Sequence, residues 1–275
     1  MKLGKIYNED CVRTMKRMTD SFLDLVVTSP PYDKLRDYGK TYNKNDEIFS
    51  EVISELYRVI KQGGVVVWVV NDSTIRGGKT GTSFRQALAF IDAGFLLYDT
   101  MIFYKKNPMP TAKRYYDAFE YMFVFSKGRP KTINLIKIKS KHGGKRSTGT
   151  RNVGNTWVNK TNNTDRVYHN YKNRCNVWPY AVGRDKLNRD CGCKHPAVFP
   201  EKLVEDHIKS WSNEGDIVYD PFSGSGTVGA MAVKLNRKFI LSEINSDYLN
   251  TIFCKLSYVN ATVNKLKDRV YLCQK

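Results

Sequence analysis

The sequence lacks any run of about 20 consecutive apolar residues, the length that a helix needs to cross a bilayer. Its first residues, MKLGKIYNEDC, contain no apolar stretch of the secretory-signal kind, so we expect no secretion. The six cysteines are scattered through 275 residues and form no disulfide framework. These absences predict a cytoplasmic protein in a reducing compartment.

Recognisable metal motifs are also missing. The stretch CGCKH places Cys191, Cys193 and His195 close together, with Cys175 upstream, but this spacing matches no standard zinc finger. The H-x-E…P-C-x-x-C pattern of zinc deaminases does not occur either. We therefore predict no metal, with zinc at these cysteines as the alternative.

Acidic residues are scarce relative to basic ones. The chain has 45 Lys and Arg against 27 Asp and Glu, a formal net charge of +18. Residues 127–194 hold 17 of the basic residues and 3 acidic ones, a net charge of +14. Localised positive charge between aromatic residues is typical of nucleic-acid binding, and a lysine-rich solvated surface is the alternative. The aromatic residues in this region are Trp157, Tyr168, Tyr171, Trp178 and Tyr180.

Strand patterns and helix patterns alternate on both sides of this basic region. LDLVVTS, VVVWVV, LLYDTMIFYK and EYMFVFSKG resemble strands, whereas DEIFSEVISELYRVIKQGG, closed by Gly63 and Gly64, resembles an amphipathic helix. SFRQALAFIDAGF, FPEKLVEDHIKSWS and SDYLNTIFCKLSYVNA indicate further helices, and DRVYLC a last strand. We predict an α/β fold with a Rossmann-like, doubly wound, mostly parallel seven-stranded sheet from residues 1–126 and 195–275. Residues 127–194 form an irregular basic insert in this prediction.

A glycine-rich turn lies within one βαβ unit, GDIVYDPFSGSGTVGAMAVKLNRKFILSEIN. Asp220 ends the first strand, Gly224 and Gly226 precede the helix, and Glu243 follows the second strand 17 residues after Gly226. Glycines let backbone N–H groups approach a ligand, and an acid at this distance can bind ribose hydroxyls. The pattern predicts a cofactor that contains a nucleoside, and a turn that only packs helix against strand is the alternative.

A second turn, TSPPY, follows the strand LDLVV directly. Two prolines stiffen it, because neither can extend a ladder or start a helix easily. Ser29 can offer its hydroxyl and Pro30 its carbonyl as hydrogen-bond acceptors for an exocyclic amine, while Tyr32 can stack on an extruded base. A rigid turn without chemistry is the alternative.

TSPPY and DPFSGSGT together resemble the amino-methyltransferases of DNA, which use S-adenosylmethionine. The catalytic turn precedes the glycine turn by about 190 residues, which is similar to the permuted β group with its target-recognition region between the motifs. IYNEDCVRTMKRM, FEYMFVFSKG and the KHPAVFP segment resemble further parts of that family. The resemblance covers most of residues 1–130 and 194–256.

The resemblance implies roles for particular residues. Those of the catalytic turn are Ser29, Pro30, Pro31 and Tyr32. Those that would contact the cofactor, with Asp10 near its adenine, are Asp10, Cys11, Thr28, His195, Pro196, Phe199, Asp220, Pro221, Phe222, Ser223, Gly224, Gly226, Thr227, Glu243 and Ile244. Within the insert, the charge pattern selects DNA-contacting residues, namely Lys139, Lys141, Lys145, Arg146 and Arg151.

The resemblance also indicates which atom of which base is methylated. Serine at the first position of the catalytic turn favours N4 of cytosine over N6 of adenine, which remains the alternative. Methylation of a ring carbon would require a Pro-Cys dipeptide in that turn, and the turn has none. A DNA-binding regulator that holds the cofactor without turnover is a second alternative, but the intact Ser-Pro-Pro-Tyr argues against it. A methyltransferase for RNA or for a protein amide is a third alternative. Such enzymes typically carry Asn-Pro-Pro-Tyr after the glycine turn, whereas Ser-Pro-Pro-Tyr precedes that turn in this chain.

The expected partner is double-stranded DNA. Because no nuclease motif occurs in the sequence, any restriction endonuclease that acts with this chain would be a separate protein. We expect a monomer or homodimer.

Overall fold

The structure is a computed structural model that describes residues 1–31, 46–145, 150–153, 156–159, 167–182, 185–192, 195 and 198–272. The chain divides into two compact units. The large unit comprises Met1–Asn134 and Asn176–Lys275, and the small unit comprises Leu135–Cys175. In the described part of the chain, no helix is both long and apolar enough to span a membrane.

Fourteen strands occur among the described residues, with β8 to β11 in the small unit. They are β1 (Lys5–Tyr7), β2 (Leu23–Thr28), β3 (Ile60–Val70), β4 (Thr74–Ile75), β5 (Gly78–Lys79), β6 (Leu96–Lys105), β7 (Phe119–Ser126), β8 (Lys137–Lys139), β9 (Thr150–Val153), β10 (Thr156–Asn159), β11 (Tyr171–Asn173), β12 (Val177–Tyr180), β13 (Ile217–Asp220) and β14 (Lys238–Ser242). The helices are α1 (Cys11–Lys16), α2 (Asp46–Val59), α3 (Thr82–Asp92), α4 (Lys186–Asp190), α5 (Glu201–Trp211), α6 (Thr227–Lys234) and α7 (Leu249–Leu272), with a 3₁₀ turn at Ser246–Tyr248.

The large unit is built around one eight-stranded sheet in the order β1-β14-β13-β2-β3-β7-β6-β12. All neighbouring strands are parallel except for the two pairs that β7 makes, with β3 and with β6. The predicted Rossmann-like, doubly wound and mostly parallel α/β sheet is therefore confirmed. Because parallel strands end at the same edge, the turns after β2, β13 and β14 meet there.

The sheet has eight strands where seven were predicted: β1 and β12 were not expected, and the predicted strand DRVYLC is not among them. β12 comes from the region that we predicted to be irregular, and it pairs in parallel with β6 at the edge of the sheet. It alternates exposed and buried residues, so that Trp178 and Tyr180 are buried while Pro179 lies between them. Proline is tolerated in an edge strand because its missing N–H can face away from the neighbouring strand.

The core lies on both faces of β2 and β3. Val26, Val66 and Trp68 are fully buried, and α2 contributes Val52 and Leu56 to the same cluster. Continuous apolar strands of this kind are typical of sheets that are covered on both faces.

Two local predictions were wrong. Helix α2 ends at Val59, and Gly63 and Gly64 lie inside β3 instead of closing the helix. At Gly63 the backbone φ is +77°, and a Cβ there would lie 2.7 Å from Cγ of Lys131, so this glycine permits a close approach within the strand. The segment DRVYLC does not form a strand, since α7 continues through Leu272. No glycine or proline interrupts α7, so nothing local stops the helix.

The small unit contains two short antiparallel ladders, β8 with β11 and β9 with β10. No side chain of residues 135–145 or 167–175 is buried. The structure divides the chain after Asn134 and after Cys175, so the small unit is narrower than the predicted insert at 127–194. The role of this unit in target recognition stays a prediction.

One disulfide joins the end of α4 to α7. It links Cys191 and Cys254, which are 63 residues apart in sequence and 5.8 Å apart between their Cα atoms. The sequence carried no signal for this pair, because only the packing of α4 on α7 brings the two cysteines together.

Candidate active site

An open cleft of about 870 Å³ lies at the edge of the sheet where β2, β13 and β14 end. Fourteen residues that were predicted to form the catalytic turn or cofactor site line it, namely Asp10, Cys11, Ser29, Pro31, His195, Phe199, Asp220, Pro221, Phe222, Ser223, Gly224, Thr227, Glu243 and Ile244. The fold thus brings the two turns, about 190 residues apart in the chain, to one cavity.

The other predicted residues of these two sets do not line the cleft or cannot be placed. Thr28, Pro30 and Gly226 are not part of its wall, although each adjoins a residue that is. Tyr32 and Pro196 lie outside the described residues.

Six lining residues were missed from the sequence. Five of them adjoin predicted residues in the chain, which is a signal that could have found them. Tyr248 does not, and its ring packs against His195 with 4.4 Å between ring centroids. The six are Glu9, Ser225, Val228, Ser242, Asn245 and Tyr248.

The glycine turn depends on two left-handed glycines. Gly224 has φ +49° and Gly226, which precedes α6, has φ +76°. A Cβ at Gly224 would lie 2.7 Å from Nε2 of His195, and one at Gly226 would lie 2.7 Å from Cγ2 of Ile252. Both positions therefore require glycine for backbone conformation and for close packing.

Glu243 closes this turn from the end of β14. Its Oε2 accepts a hydrogen bond from the Gly224 backbone N–H at 2.7 Å, and its Oε1 accepts one from Asn245 N–H at 2.8 Å. Burial raises the pKa of the Glu243 carboxyl, while the N–H donors of Asn245 and Gly224 act in the opposite direction. The carboxylate is therefore held in one orientation at the wall of the cleft.

Asp220 connects the two turns. Its Oδ1 accepts hydrogen bonds from Thr28 Oγ1 at 2.7 Å and from Phe222 N–H at 3.1 Å. The pKa of Asp220 is raised to about 7. Burial is the largest cause and nearby Glu243 adds to it, while the two hydrogen bonds lower the pKa in part. Thr28, which was predicted to contact the cofactor, donates one of these hydrogen bonds to Asp220 and does not line the cleft, and its contact with the cofactor stays a prediction.

Four carboxyl groups line the cleft, of which Glu9 is ion-paired with Arg17. Asp10 caps α1, where its side chain accepts from Val12 N–H at 2.8 Å. Glu9, Asp220 and Glu243 line the same cavity, and none of the described lining residues is Lys or Arg. Such a wall favours a ligand that carries positive charge and hydrogen-bond donors over one that carries phosphates.

Basic residues of the small unit are exposed. Lys139, Lys141 and Lys145 are exposed there, as expected for residues that could contact DNA. Arg146 lies outside the described residues, and Arg151 belongs to β9 but its side chain is not described. A groove in this unit is lined by Lys141, which was predicted to contact DNA, and by Tyr168 and Tyr171, two of the aromatic residues noted in the sequence. Its other basic and histidine side chains are Lys137, His142, His169 and Lys172.

The described part of the chain contains no group of three or more His, Cys, Asp or Glu side chains arranged to hold an ion. Cys191, one of the candidate zinc ligands, is bonded to Cys254, and Cys193 lies outside the described residues.

Comparison with known families and proteins agrees with this site. Residues 23–253 match the N6_N4_Mtase family model, described as DNA methylase. The orphan methyltransferase M.BamHII of Bacillus amyloliquefaciens is 49% identical over 239 residues, which cover 83% of this chain and 86% of the relative. The Type II methyltransferase M.HpaI of Haemophilus parainfluenzae is 30% identical over 271 residues, which cover 96% and 77%.

Solved structures share the fold. PvuII DNA methyltransferase (cytosine-N4-specific) aligns with a TM-score of 0.69 at 20% identity, covering 96% of this chain and 93% of that one. A DNA modification methylase of Thermus thermophilus, complexed with S-adenosyl-L-methionine, aligns with a TM-score of 0.60 at 19% identity, covering 92% and 95%. From the family match and the identity to these relatives, the chain belongs to the N6_N4_Mtase family of DNA methylases, whose cofactor is S-adenosylmethionine, as the sequence predicted.

Proposed function

We propose that this chain transfers a methyl group to the N4 amine of cytosine, in a base flipped out of a specific site in duplex DNA. The observation that carries the proposal is that Ser29 and Pro31 line the same cleft as the glycine turn and Glu243. An amine held at the first turn would therefore face a cofactor held at the second.

The cofactor end of the cleft suits S-adenosylmethionine. The cofactor supplies an activated methyl group on a positively charged sulfur, which agrees with an acidic wall free of Lys and Arg among its described residues. In our proposal, Glu243 accepts hydrogen bonds from the ribose hydroxyls and Asp10 approaches the adenine. Each Glu243 oxygen uses one acceptor position on a backbone N–H and keeps another for a ligand.

The amine end would work through acceptors that are in place before the substrate arrives. The lone pair of an amine conjugated to a base ring is delocalised, which makes the nitrogen a poor nucleophile. The Ser29 hydroxyl and the Pro30 carbonyl would accept its two N–H groups and draw the nitrogen toward tetrahedral geometry. Two prolines hold these acceptors at the end of β2, so that little reorganisation accompanies the reaction.

The amine is paired inside a duplex, so the base has to leave the stack to reach this turn. We assign Tyr32 to stack on the extruded base. In the same proposal, the exposed lysines of the small unit contact the DNA backbone and hold the target in place.

Two features favour cytosine over adenine. The catalytic turn begins with serine, and the PvuII enzyme that shares the fold is named cytosine-N4-specific. The alternative is the same chemistry at N6 of adenine, since either exocyclic amine could bind the same two acceptors.

Nucleoside mass spectrometry tests the proposal directly. Unmethylated plasmid DNA is incubated with the protein and S-adenosylmethionine, digested to nucleosides and compared with a reaction that lacks the cofactor. We expect N4-methylcytosine. N6-Methyladenine would overturn the choice of base, 5-methylcytosine would overturn the role of the catalytic turn, and cofactor binding without any methylated product would favour a non-catalytic regulator.

The relatives bear on the cellular role. One is named an orphan methyltransferase and another a Type II methyltransferase. We propose that this chain also acts on DNA in the cytoplasm, and that any restriction endonuclease acting with it is a separate chain.

A further inference from the structure

The loop of residues 106–118 leaves the sheet at the same edge as the cleft. Strand β7 runs antiparallel to both β3 and β6, so β6 runs in the direction of β2 and β3. The end of β6 at Lys105 therefore lies at the edge where β2 ends at Thr28. β6 is three strands from β2 in the sheet, a lateral distance of about 14 Å at the usual strand spacing.

Hydrogen bonds hold the base of this loop on both sides. The Lys105 N–H donates to the Ala118 carbonyl at 2.7 Å, which closes the loop where β6 passes into β7. Asn107 makes two hydrogen bonds with the backbone of Val182, at 3.2 Å from Nδ2 to the carbonyl and at 3.0 Å from the Val182 N–H to Oδ1. Asp117 accepts from Asn71 Nδ2 at 2.7 Å.

The tip of the loop is also braced. Thr111 Oγ1 donates to the Arg114 carbonyl at 2.8 Å, and the Arg114 guanidinium donates to the Gly77 carbonyl. The loop therefore presents its side chains on a framework of hydrogen bonds that does not depend on a ligand.

The side chains that it presents are large, apolar or basic. Tyr115 is 100% exposed, Met109 is 80% exposed and Tyr116 is 55% exposed. Lys106 and Lys113 are exposed in the same loop. Aromatic rings beside basic groups on a preformed loop are the features with which proteins stack on bases and neutralise phosphates.

Resting on the DNA methylation proposed above, we propose that residues 106–118 form a second DNA-contacting element, within the large unit. Tyr115 stacks on bases close to the flipped nucleotide, and Lys106 and Lys113 contact the phosphates beside it. A duplex whose target base enters the cleft has to cover this edge of the sheet. A lateral distance of about 14 Å corresponds to roughly four base pairs at 3.4 Å per step, which is within reach of the same duplex.

Matched variants separate this element from general effects of mutation. Tyr115→Ala is compared with Tyr98→Ala, which removes a tyrosine near the other end of β6, at the opposite edge of the sheet. The double variant Lys106→Gln with Lys113→Gln is compared with Lys238→Gln, at the amino end of β14. Arg114 is left in place because it braces the loop.

The binding probe is a 30-bp duplex carrying a site that is mapped by sequencing plasmid DNA after methylation by the wild type. Affinity is measured by fluorescence anisotropy at several salt concentrations, and extrusion by 2-aminopurine fluorescence at the target position. We expect Tyr115→Ala to weaken binding about 5- to 150-fold and to lower the 2-aminopurine signal. The lysine double variant should reduce the slope of log affinity against log salt by about 1.8.

Control variants should bind like the wild type, and every variant should keep its affinity for S-adenosylmethionine. Every variant except Tyr98→Ala, which loses a ring contact with Trp211, should also keep its melting temperature. Wild-type affinity and salt slope in folded loop variants that still methylate DNA would overturn this inference and leave the methylation proposal intact. A change in sedimentation coefficient with unchanged DNA binding would assign the loop to protein association and also overturn it. If the wild type methylates no DNA, the methylation proposal fails, and a 30-bp fragment of the plasmid then tests whether loop variants change DNA binding.

Discussion

The two units of this protein differ in what can stabilise them. In the large unit, the central strands are fully buried and the carboxylates that line the cleft are held by backbone N–H groups. In the small unit, residues 135–145 and 167–175 include no buried side chain, and the described strands are three or four residues long. In the described part of this 41-residue unit, buried side chains therefore contribute nothing to stability.

The two units therefore differ in how far their side chains are fixed in place without a ligand. The cleft of the large unit has its hydrogen-bond acceptors in place without a ligand, which suits a small cofactor and a reaction that depends on orientation. The small unit offers exposed lysines and aromatic rings, which suit a long polyanion that can supply the missing contacts. Variants should therefore separate cofactor binding, turnover and DNA binding.

The largest effect is expected from Glu243→Ala, measured as cofactor affinity by calorimetry. The variant loses acceptors for two hydroxyls, each worth about 1.5–3 kcal/mol, so affinity for S-adenosylmethionine should fall about 10²- to 10⁴-fold. DNA affinity should change little, which would separate the two units. Glu214→Ala, an exposed acid just before β13, is the control. Unchanged cofactor affinity in a folded Glu243 variant would contradict the assignment.

Ser29→Ala should affect turnover alone. Loss of one preorganised acceptor that acts on the amine in the transition state should lower kcat about 10²- to 10³-fold. Cofactor affinity should stay close to that of the wild type, as should the activity of Ser257→Ala on the exposed face of α7. Single-turnover methylation assays measure the effect, and a wild-type rate in the Ser29 variant would exclude this hydroxyl from the chemistry.

Substitution of Lys139, Lys141 and Lys145 by Gln should affect DNA binding and leave cofactor affinity unchanged. If all three lysines contact phosphates, the slope of log affinity against log salt should decrease by about 2.7. Three exposed lysines of the large unit serve as the control set, namely Lys2, Lys5 and Lys238. Equal salt slopes in the two triple variants would remove the small unit from the DNA interface.

The last prediction concerns how the free energy of unfolding of the large unit depends on pH. The pKa of Asp220 is about 7 in the folded protein and about 3.9 in an unfolded chain, so the folded state binds the proton more tightly. The stabilisation is complete below the unfolded pKa and is lost as pH rises toward 7, at up to about 1.4 kcal/mol per pH unit.

Asp220→Asn removes this titration and keeps an oxygen acceptor for Thr28 and Phe222. The free energy of unfolding of the variant should therefore fall less steeply between pH 4 and 7 than that of the wild type. Some slope should remain, because the pKa of Glu243 is raised as well. Denaturant titrations at several pH values measure it, with Asp92→Asn on the exposed end of α3 as the control. Parallel curves for the variant and the wild type would contradict the raised pKa of Asp220.

Local sequence patterns were sufficient to predict much of the fold and to locate part of the candidate site. The apolar runs of β2 and β3 and the amphipathic pattern of α3 and α5 have one dominant period each, so their element types follow from the sequence. The glycine turn could be located as well, because only glycine readily adopts the positive φ found at Gly224 and Gly226.

Predictions failed where the conformation of a segment depends on contacts with residues that are far away in the sequence. β12 is a strand because Trp178 and Tyr180 find a buried place beside β6, and Gly63 lies in a strand because Lys131 packs against it. Tyr248 joins the cleft wall through its contact with His195, which no local pattern indicates.

By itself, the sequence determined the α/β class, the two turns, and the location of most of the positive charge. Each of these depends on residues that are close together in the chain. Tertiary structure alone decided that Thr28 supports Asp220 instead of lining the cleft, that Cys191 pairs with Cys254, and that the loop at 106–118 shares the edge of the catalytic turn. The physical reason is that strand order and helix packing join segments whose separation along the chain carries no information about their distance in space.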